Sequence, residues 1–301
     1  MKKQAIVITL LSQCCFYSLA SAEETIFTGT VDLGVRYVDV SGDMSKFNEY
    51  RDVDSGVYGG LDLSTLYESG YYFDFSADNV GYDDQSYLLD GGRFNRMKYS
   101  LYYDETIHNI TEDAKTFYTG AGSAALTTAV NPNDPSEWLS FDYKKERQKL
   151  GGDIEYNFGD NYYLKFALSN LDTTGTVPFG GEPLATEFPA PADWQETMLA
   201  FTAGYRDEGL TASLVGQFTD FDNDDEAVSR DTDITSLAPD NEMQRVAGKM
   251  VWRPDFYSSI VGLNLSYTQT ESDTSLSTIV PQDQTEFSGE VTKTQFDATW
   301  G

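Results

Sequence analysis

The sequence contains few of the residues that metal, redox or nucleic-acid chemistry requires. Its 301 residues include one His and two Cys, and no CxxCH sequence is present. A metal site built on His or Cys and covalent haem attachment are therefore excluded. Lys and Arg number 20 against 49 Asp and Glu, which gives a net charge of −29. Because Lys and Arg must displace counterions from nucleic-acid phosphates, this balance excludes most nucleic-acid-binding classes.

Long apolar runs are also missing after residue 22. No stretch there approaches the roughly 18 to 20 apolar residues of a membrane helix. Aromatic residues, by contrast, are abundant, with 20 Tyr, 18 Phe and 4 Trp. Disordered chains are poor in aromatic residues, so we expect a folded protein. A mean hydropathy of −0.42 with so many aromatic residues is typical of a β-barrel with a polar inside and an apolar outside.

The first 22 residues have the pattern of a secretory signal peptide. Lys2 and Lys3 precede an interrupted apolar stretch over residues 5–19, and an A-x-A cleavage sequence ends at Ala22. The sequence predicts cleavage after Ala22 and a mature domain over residues 23–301. We therefore expect export across the inner membrane.

Both cysteines, Cys14 and Cys15, lie inside this segment, so the mature chain would have none. Lipid attachment at Cys14 is the alternative interpretation. It is less favoured because Gln13 is large for the position before a lipidated Cys and because an A-x-A sequence follows downstream.

Period-2 alternation of apolar and polar residues is the dominant pattern of the mature chain. The first run, Phe27 to Tyr37, has about the length of a tilted membrane strand. Comparable runs recur at 57–64, 71–78, 87–91, 97–103, 150–158, 162–168, 199–205, 210–218, 246–252, 261–267 and 287–300. The sequence therefore predicts about twelve strands.

Alternation also occurs in soluble sheets, where the apolar face is a core, so a secreted soluble β-protein such as an adhesin is a rival interpretation. Three features favour the membrane. The polar faces carry charge and Gly in mid-strand, and short turns alternate with long polar connections near 104–137, 172–193 and 220–242. Aromatic residues sit near strand ends, as interfacial girdles do: Tyr37, Tyr71, Phe158, Tyr162, Tyr205 and Trp252. We predict an all-β, transmembrane antiparallel β-barrel in the outer membrane, in contact with its lipid.

Five cations fall on the polar faces of predicted strands: Arg36, Lys98, Lys165, Arg245 and Lys249. They could pair with acidic neighbours across the lumen wall, or they could contact a partner inside the barrel. A lumen lined by both signs of charge suits a polar partner surface and a general pore equally, so the sequence leaves both possibilities open.

Clustered carboxylates and the single His give no catalytic or metal signature. Asp220 begins a run with spacing that suggests Ca²⁺, but Asp225 and Asp231 occupy the positions where an EF-hand needs Gly and Glu. The pair Asp83-Asp84 is better explained by a turn than by acid–base catalysis. His108 has no nucleophile or triad partner in the sequence. We predict no catalytic, metal or cofactor-binding residue and no enzyme activity.

Three segments resemble the MtrB/PioB family of decahaem-associated outer-membrane β-barrel proteins. They are Lys46-Phe47-Asn48-Glu49-Tyr50-Arg51-Asp52, then Asn79 to Tyr87 (NVGYDDQSY), and Tyr99 to His108 (YSLYYDETIH). The resemblance is dense from about Gly29 to Ile110 and looser beyond, as at Ala190-Pro191-Ala192-Asp193-Trp194.

The resemblance implies a scaffold that sheaths and positions a multihaem c-type cytochrome for electron transfer across the outer membrane. The implied partners are a periplasmic multihaem cytochrome and, as a further candidate, an outer-surface cytochrome. The haem would belong to the partner, with none on this chain. The alternative function is a passive porin or solute channel.

The sequence departs from the family in two respects. It lacks the CxxC that some members carry near the mature N-terminus. Family barrels also have more than twenty strands, and an open channel needs about 16 to 18. About twelve strands would not enclose a cytochrome, so we expect the sequence to be the N-terminal part of a longer protein. The terminal aromatic Trp300 leaves a complete barrel as the alternative.

Overall fold

The structure is a computed structural model that describes residues 6–21, 24–40, 42, 44–181, 186–231, 233–254, 259–275 and 286–301. Within these residues, all regular structure is β-strand. The strands are β1 Ile6–Ser21, β2 Glu24–Asp39, β3 Gly56–Tyr67, β4 Tyr71–Val80, β5 Ser86–Arg93, β6 Met97–Thr116, β7 Tyr118–Thr119, β8 Ala125–Thr128, β9 Leu139–Phe158, β10 Tyr162–Gly181, β11 Thr186–Pro191, β12 Trp194–Arg206, β13 Leu210–Asn223, β14 Ala227–Arg230, β15 Asp233–Ser236, β16 Asn241–Trp252, β17 Val261–Ser275 and β18 Glu286–Trp300. In this described part, no helix is long and apolar enough to span a bilayer.

One antiparallel sheet follows the chain from β1 to β18. Its order is β1-β2-β3-β4-β5-β6-β9-β10-β12-β13-β16-β17-β18, and β11 pairs with β10 on the side. This path has thirteen strands, or twelve without β1, so the predicted number of strands is confirmed. The predicted signal peptide coincides with β1, which pairs with β2. Cleavage after Ala22 stays a prediction.

One face of the sheet carries a band of mainly apolar side chains, many of them exposed. A single line of cross-strand partners runs over twelve strands, from β2 to β18. We call it the apolar row: Phe27, Thr65, Phe73, Gly91, Tyr99, Ile154, Phe166, Phe201, Gly216, Val246, Tyr267 and Thr294. Phe166 is 44% exposed and Phe201 is 49% exposed. Aromatic side chains this open to the surroundings are unfavourable in water and suit contact with lipid.

Aromatic side chains also mark one end of the sheet. At this end the turns are short, as at Glu68–Gly70, Phe94–Arg96, Gly159–Asn161 and Asp207–Gly209. Exposed aromatic residues of the apolar face lie at the same end of the sheet: Tyr67, Tyr71, Phe158, Tyr162, Trp252 and Trp300. Short turns face the periplasm in outer-membrane barrels, so we assign this end to the periplasmic interface. Four of the six aromatic residues predicted at strand ends lie in this girdle. Tyr205 packs on Tyr162 with ring centroids 5.0 Å apart, whereas Tyr37 lies at the opposite end.

At the other end, three strands continue well beyond a membrane-sized band. The strands β6, β9 and β10 have 20 residues each, about twice the length of a spanning strand. The predicted loops near 104–137 and 172–193 therefore need correction, because β6 runs to Thr116 and β10 to Gly181. Beyond the bilayer a strand no longer has lipid on one face and a lumen on the other, so alternation no longer marks the strand in the sequence. The Pro-rich part of the second loop pairs with β10, with Pro189 opposite Pro178.

A small second sheet lies at this outer end, and we call it the cap sheet. Its order is β15-β14-β8-β7, so the predicted acidic loop near 220–242 is also partly strand. The cap sheet and the β10–β11 hairpin enclose a buried apolar cluster that includes Leu126, Phe188 and Val228. Arg230, 7% exposed, lies with its Cζ atom 4.2 Å from the centre of the Phe188 ring. Val177 and Phe179 contribute to the cluster from β10.

Candidate functional site on the polar face

The second face of the sheet is polar, and most side chains along its middle are short. One line of cross-strand partners again crosses the twelve strands from β2 to β18, one residue away from the apolar row on every strand. We call it the polar row: Thr28, Ser64, Asp74, Asp90, Ser100, Asp153, Ala167, Ala200, Gln217, Arg245, Thr268 and Lys293. No apolar residue in it is larger than Ala. Short side chains leave space beside the wall, so this face does not fill a lumen by itself.

Two of the predicted cations flank one carboxylate on the polar face. Lys98 and Lys165 are the register partners of Glu155 on either side. The ion pairs are nevertheless diagonal: Lys165 Nζ lies 2.9 Å from Asp153 Oδ1, and Arg206 Nη2 lies 2.6 Å from Glu155 Oε1. Among the described residues, Lys98 has no carboxylate oxygen within 4.0 Å. The wall thus neutralises Lys165, whereas among the described residues it leaves Lys98 without an ion pair.

The next two predicted cations lie together on a different part of the face. Arg245 stands between Gln217 and Thr268 in register, and Lys249 between Ser213 and Asn264. Within the described part of the chain, neither has a carboxylate oxygen within 4.0 Å. This part of the wall therefore presents positive charge to whatever lies beside it.

Arg36, the fifth predicted cation, is held by the protein itself. Its Cζ atom lies 5.0 Å from the ring centre of Tyr58 and 4.8 Å from that of Tyr82. Its Nη1 atom also donates a hydrogen bond to the backbone oxygen of Asp52 at 2.9 Å. Cation–π contact and this hydrogen bond fix the connection before β3 against the sheet.

A repeated arrangement of Gly, Tyr and a cation shapes the polar face. In each case a Tyr ring lies across the Gly opposite it, and a cation two residues from that Gly approaches the ring. The three sets are Gly34, Tyr58 and Arg36; Gly151, Tyr102 and Lys149; and Gly204, Tyr163 and Arg206. The missing Cβ lets the ring lie flat on the wall, which keeps bulky groups out of the space beside it.

The three segments that carry the family resemblance meet at the outer end of the sheet. The Asp83 backbone N–H donates to Asp52 Oδ2 at 3.0 Å, which joins the first segment to the second. His108 stacks on Tyr50 with ring centroids 4.5 Å apart, which joins the first segment to the third. Gln85 Nε2 donates to Glu105 Oε2 at 2.9 Å, which joins the second to the third. These segments therefore act together as a structural brace at the outer rim.

His108 and Asp83, which were singled out in the sequence, contact neighbouring residues of the protein. His108 Nε2 lies 3.6 Å from Glu49 Oε1, beside Tyr50. Asp83 lies 3.4 Å from Lys144 Nζ. Throughout the described residues, no group of three or more His, Cys, Asp or Glu side chains is placed to hold a metal ion.

Asp84, in the turn after β4, gives a pH-dependent prediction. Burial is the main cause that raises the pKa of its carboxyl group. A hydrogen bond with the Asp52 backbone opposes the rise, and the negative charge of the Asp52 side chain adds to it. A raised folded-state pKa means that the folded state binds the proton more tightly, so this group's contribution to stability falls as pH rises through that pKa. We expect Asp84→Asn to stabilise the protein more at pH 7.5 than at pH 4.5, measured by urea unfolding in detergent.

The exposed loop residue Asp134 serves as a control of opposite sign for this prediction. Hydrogen bonds from Ser136 lower the pKa of the Asp134 carboxyl group. Asp134→Asn should therefore remove a contribution to folding stability that is present at neutral pH and lost in acid. Equal effects of Asp84→Asn at the two pH values would contradict the interpretation of Asp84.

Sequence analysis missed a row of cations above the polar row. Lys145, Arg147 and Lys149 alternate along β9 and share the face of Asp153, because the pairing of β9 with β10 shows no register shift. The signal in the sequence was the run Lys144-Lys145-Glu146-Arg147-Gln148-Lys149, which holds four of the 20 basic residues. The alternation of this run becomes meaningful only once the register is known.

The family model described as "Putative outer membrane beta-barrel porin, MtrB/PioB" matches residues 39–301. The chain belongs to the MtrB/PioB family. The match includes all three segments of the outer brace, and it agrees with the all-β sheet whose two faces differ in polarity. The predicted family, fold class and outer-membrane location of an MtrB/PioB barrel are thereby supported.

Solved structures similar to this MtrB/PioB chain are outer-membrane proteins. They include OmpT of Vibrio cholerae, with 8% identity, a TM-score of 0.36, and coverage of 98% of this chain and 97% of that one. A loop L8 deletion mutant of the same OmpT gives 8% identity, a TM-score of 0.37, and coverage of 98% and 99%. TM-scores this low carry no inference about function. No curated protein matched the chain.

Proposed function

We propose that this chain forms the wall of an outer-membrane barrel that sheaths and positions a multihaem c-type cytochrome for electron transfer across the outer membrane. The observation that carries the proposal is the polar row. Its side chains are mostly short, and among the described residues no carboxylate oxygen lies within 4.0 Å of the charged nitrogens of Lys98, Arg245 or Lys249. Such a face suits a lumen occupied by a polar macromolecule. A wall meant to close on itself would carry side chains large enough to fill the space.

The redox chemistry in this proposal belongs to the partner. The chain has one His and no CxxCH, so covalent c-type haem cannot attach to it. His108 is engaged with Tyr50 and Glu49 at the outer brace. The wall's role is to exclude lipid, to hold the cytochrome in place and to keep both of its ends accessible. Enzyme activity is not part of this role.

The family description as a porin favours a second candidate, a passive solute channel. In that case water would fill the lumen and the polar row would line a diffusion path. The two functions differ in one observable respect: only the sheath carries a stoichiometric haem protein.

Purification from native outer membranes tests the choice. A tagged chain expressed from its own locus would be solubilised in detergent and captured, and haem would be measured from absorbance near the Soret band. A second outer-membrane barrel with the same tag serves as control. The sheath predicts stoichiometric haem in the first sample alone. A colourless barrel would contradict the sheath and make single-channel conductance the next measurement.

A matched pair of substitutions tests whether the polar face touches the occupant. Ala200→Trp adds a bulky ring to the polar row, whereas Ala203→Trp adds it to the apolar face of the same strand. We expect the haem-to-barrel ratio to fall several-fold for Ala200→Trp alone. Retention of haem in both variants would contradict contact at this face. An equal loss of haem in both variants would indicate a folding defect, and the test would then give no support for contact at the polar face.

A further inference from the structure

The outer half of β9 carries three cations that the wall does not neutralise. Among the described residues, no carboxylate oxygen lies within 4.0 Å of the charged nitrogens of Lys145, Arg147 or Lys149. Asp104 is the register partner of Lys149, but its Oδ1 atom accepts a hydrogen bond from Thr106 Oγ1 at 3.2 Å. In a chain of net charge −29, three free cations in one row are unusual.

The opposite face of the same stretch behaves differently. Lys144 points to the other side of β9 and has two partners, with Nζ 2.5 Å from Glu146 Oε1 and 3.4 Å from Asp83 Oδ2. Carboxylates therefore neutralise Lys144 on this face, whereas the described residues leave Lys145, Arg147 and Lys149 on the other face without an ion pair. The free cations are confined to the face that continues the polar row.

Two of the three cations are positioned by aromatic rings. Lys145 Nζ lies 6.0 Å from the ring centre of Trp194, and Lys149 Nζ lies 5.7 Å from that of Tyr102. Cation–π contacts restrain the side chains without cancelling their charge. Arg147, between them, is exposed. The row is thus partly pre-organised and open on the polar side.

We infer that Lys145, Arg147 and Lys149 form a docking row for a carboxylate-rich protein surface near the outer mouth. Complementary charge fixes the register between partners and speeds their encounter. The assignment of that surface to the lumen occupant rests on the proposed function. The row would hold the outer end of the occupant, at a level where β6, β9 and β10 extend beyond the membrane.

The probe is a short fluorescent oligo-glutamate peptide, and an oligo-lysine peptide of opposite charge is the control. Binding of each peptide to the detergent-solubilised full chain is measured by fluorescence anisotropy. The row variant carries Lys145→Gln, Arg147→Gln and Lys149→Gln. The control variant loses the same charge at exposed cations elsewhere, through Lys46→Gln, Lys115→Gln and Arg253→Gln. We expect oligo-glutamate to bind about tenfold more weakly to the row variant than to the control. The binding should also weaken with added salt.

Equal oligo-glutamate binding by the row and control variants would overturn the docking row, whether or not haem co-purifies. The haem-to-barrel ratio of the same variants tests the link to the occupant. A several-fold lower ratio in the row variant alone supports that link, and equal ratios overturn it. If no haem co-purifies with the wild-type chain, the proposed sheath is contradicted. The docking row is then judged by oligo-glutamate binding alone.

Discussion

Phe166→Arg should prevent stable insertion of the sheet, whereas Ala167→Arg should be tolerated. Phe166 lies in the apolar row between Ile154 and Phe201, and it is 44% exposed. Arg on the lipid-facing side near the middle of the bilayer costs about 2 to 4 kcal/mol. Ala167 is the next residue and lies in the polar row beside Asp153, where a new cation meets polar surroundings and an acidic neighbour. Its effect should stay below about 1 kcal/mol.

The free energy of unfolding in lipid vesicles, from urea titration, measures both effects, and heat-modifiable migration on a gel gives the folded fraction. Because the two residues are adjacent, strand propensity and position along β10 are nearly matched. A larger loss of unfolding free energy for Ala167→Arg than for Phe166→Arg would mean that the lipid-facing and lumen-facing sides have been exchanged. That result would also contradict the proposed sheath, which depends on this assignment of the faces.

Gly204→Val should destabilise the protein by about 1 to 3 kcal/mol, the usual cost of overpacking. A Cβ atom at Gly204 would lie 2.2 Å from ring atoms of Tyr163, its cross-strand partner. The ring would have to leave the wall, and the contact between Arg206 and Tyr163, now 4.2 Å from Cζ to ring centre, would be lost.

The control for this substitution is Gly216→Val on the neighbouring strand. No heavy atom lies within 4 Å of a Cβ placed at Gly216, and a β-branched residue is favourable in a strand. We expect little change or a slight gain in the free energy of unfolding. The double variant Gly204→Val with Tyr163→Ala should recover part of the loss. Similar losses at the two glycines would show that the Tyr163 ring is not the cause.

Within the membrane band the sequence was sufficient to predict the sheet. Alternation located the hairpin of β12 and β13 around Asp207–Gly209 and the turn at Gly159–Asn161, because lipid on one side and a polar lumen on the other impose a strict period of two. The same alternation of side chains between the two faces was enough to place four cations on the polar face: Lys98, Lys165, Arg245 and Lys249.

The outer part of the molecule could not be predicted in the same way. Residues 104–116 of β6 lie beyond the membrane band, and Ile107, Asn109 and Thr116 are buried against other parts of the protein. Without lipid on one side and a lumen on the other, their sequence lacks the alternation that marks the strand lower down. The strands of the cap sheet have at most four residues, and its links join distant positions, as when Thr128 Oγ1 donates to Asp231 Oδ2 at 2.5 Å. The outer brace similarly depends on contacts between segments that the sequence presents separately.

The polar row also separates its charges along the wall. Its carboxylates, Asp74, Asp90 and Asp153, are on β4, β5 and β9, whereas Arg245 and Lys293 are on β16 and β18. In a wall that curves around a lumen, these two stretches lie on different sides, so the electric field has a component across the lumen. A dipolar occupant then has one preferred angle of rotation about the barrel axis. The order of the strands would thereby determine which flank of the occupant faces which part of the wall.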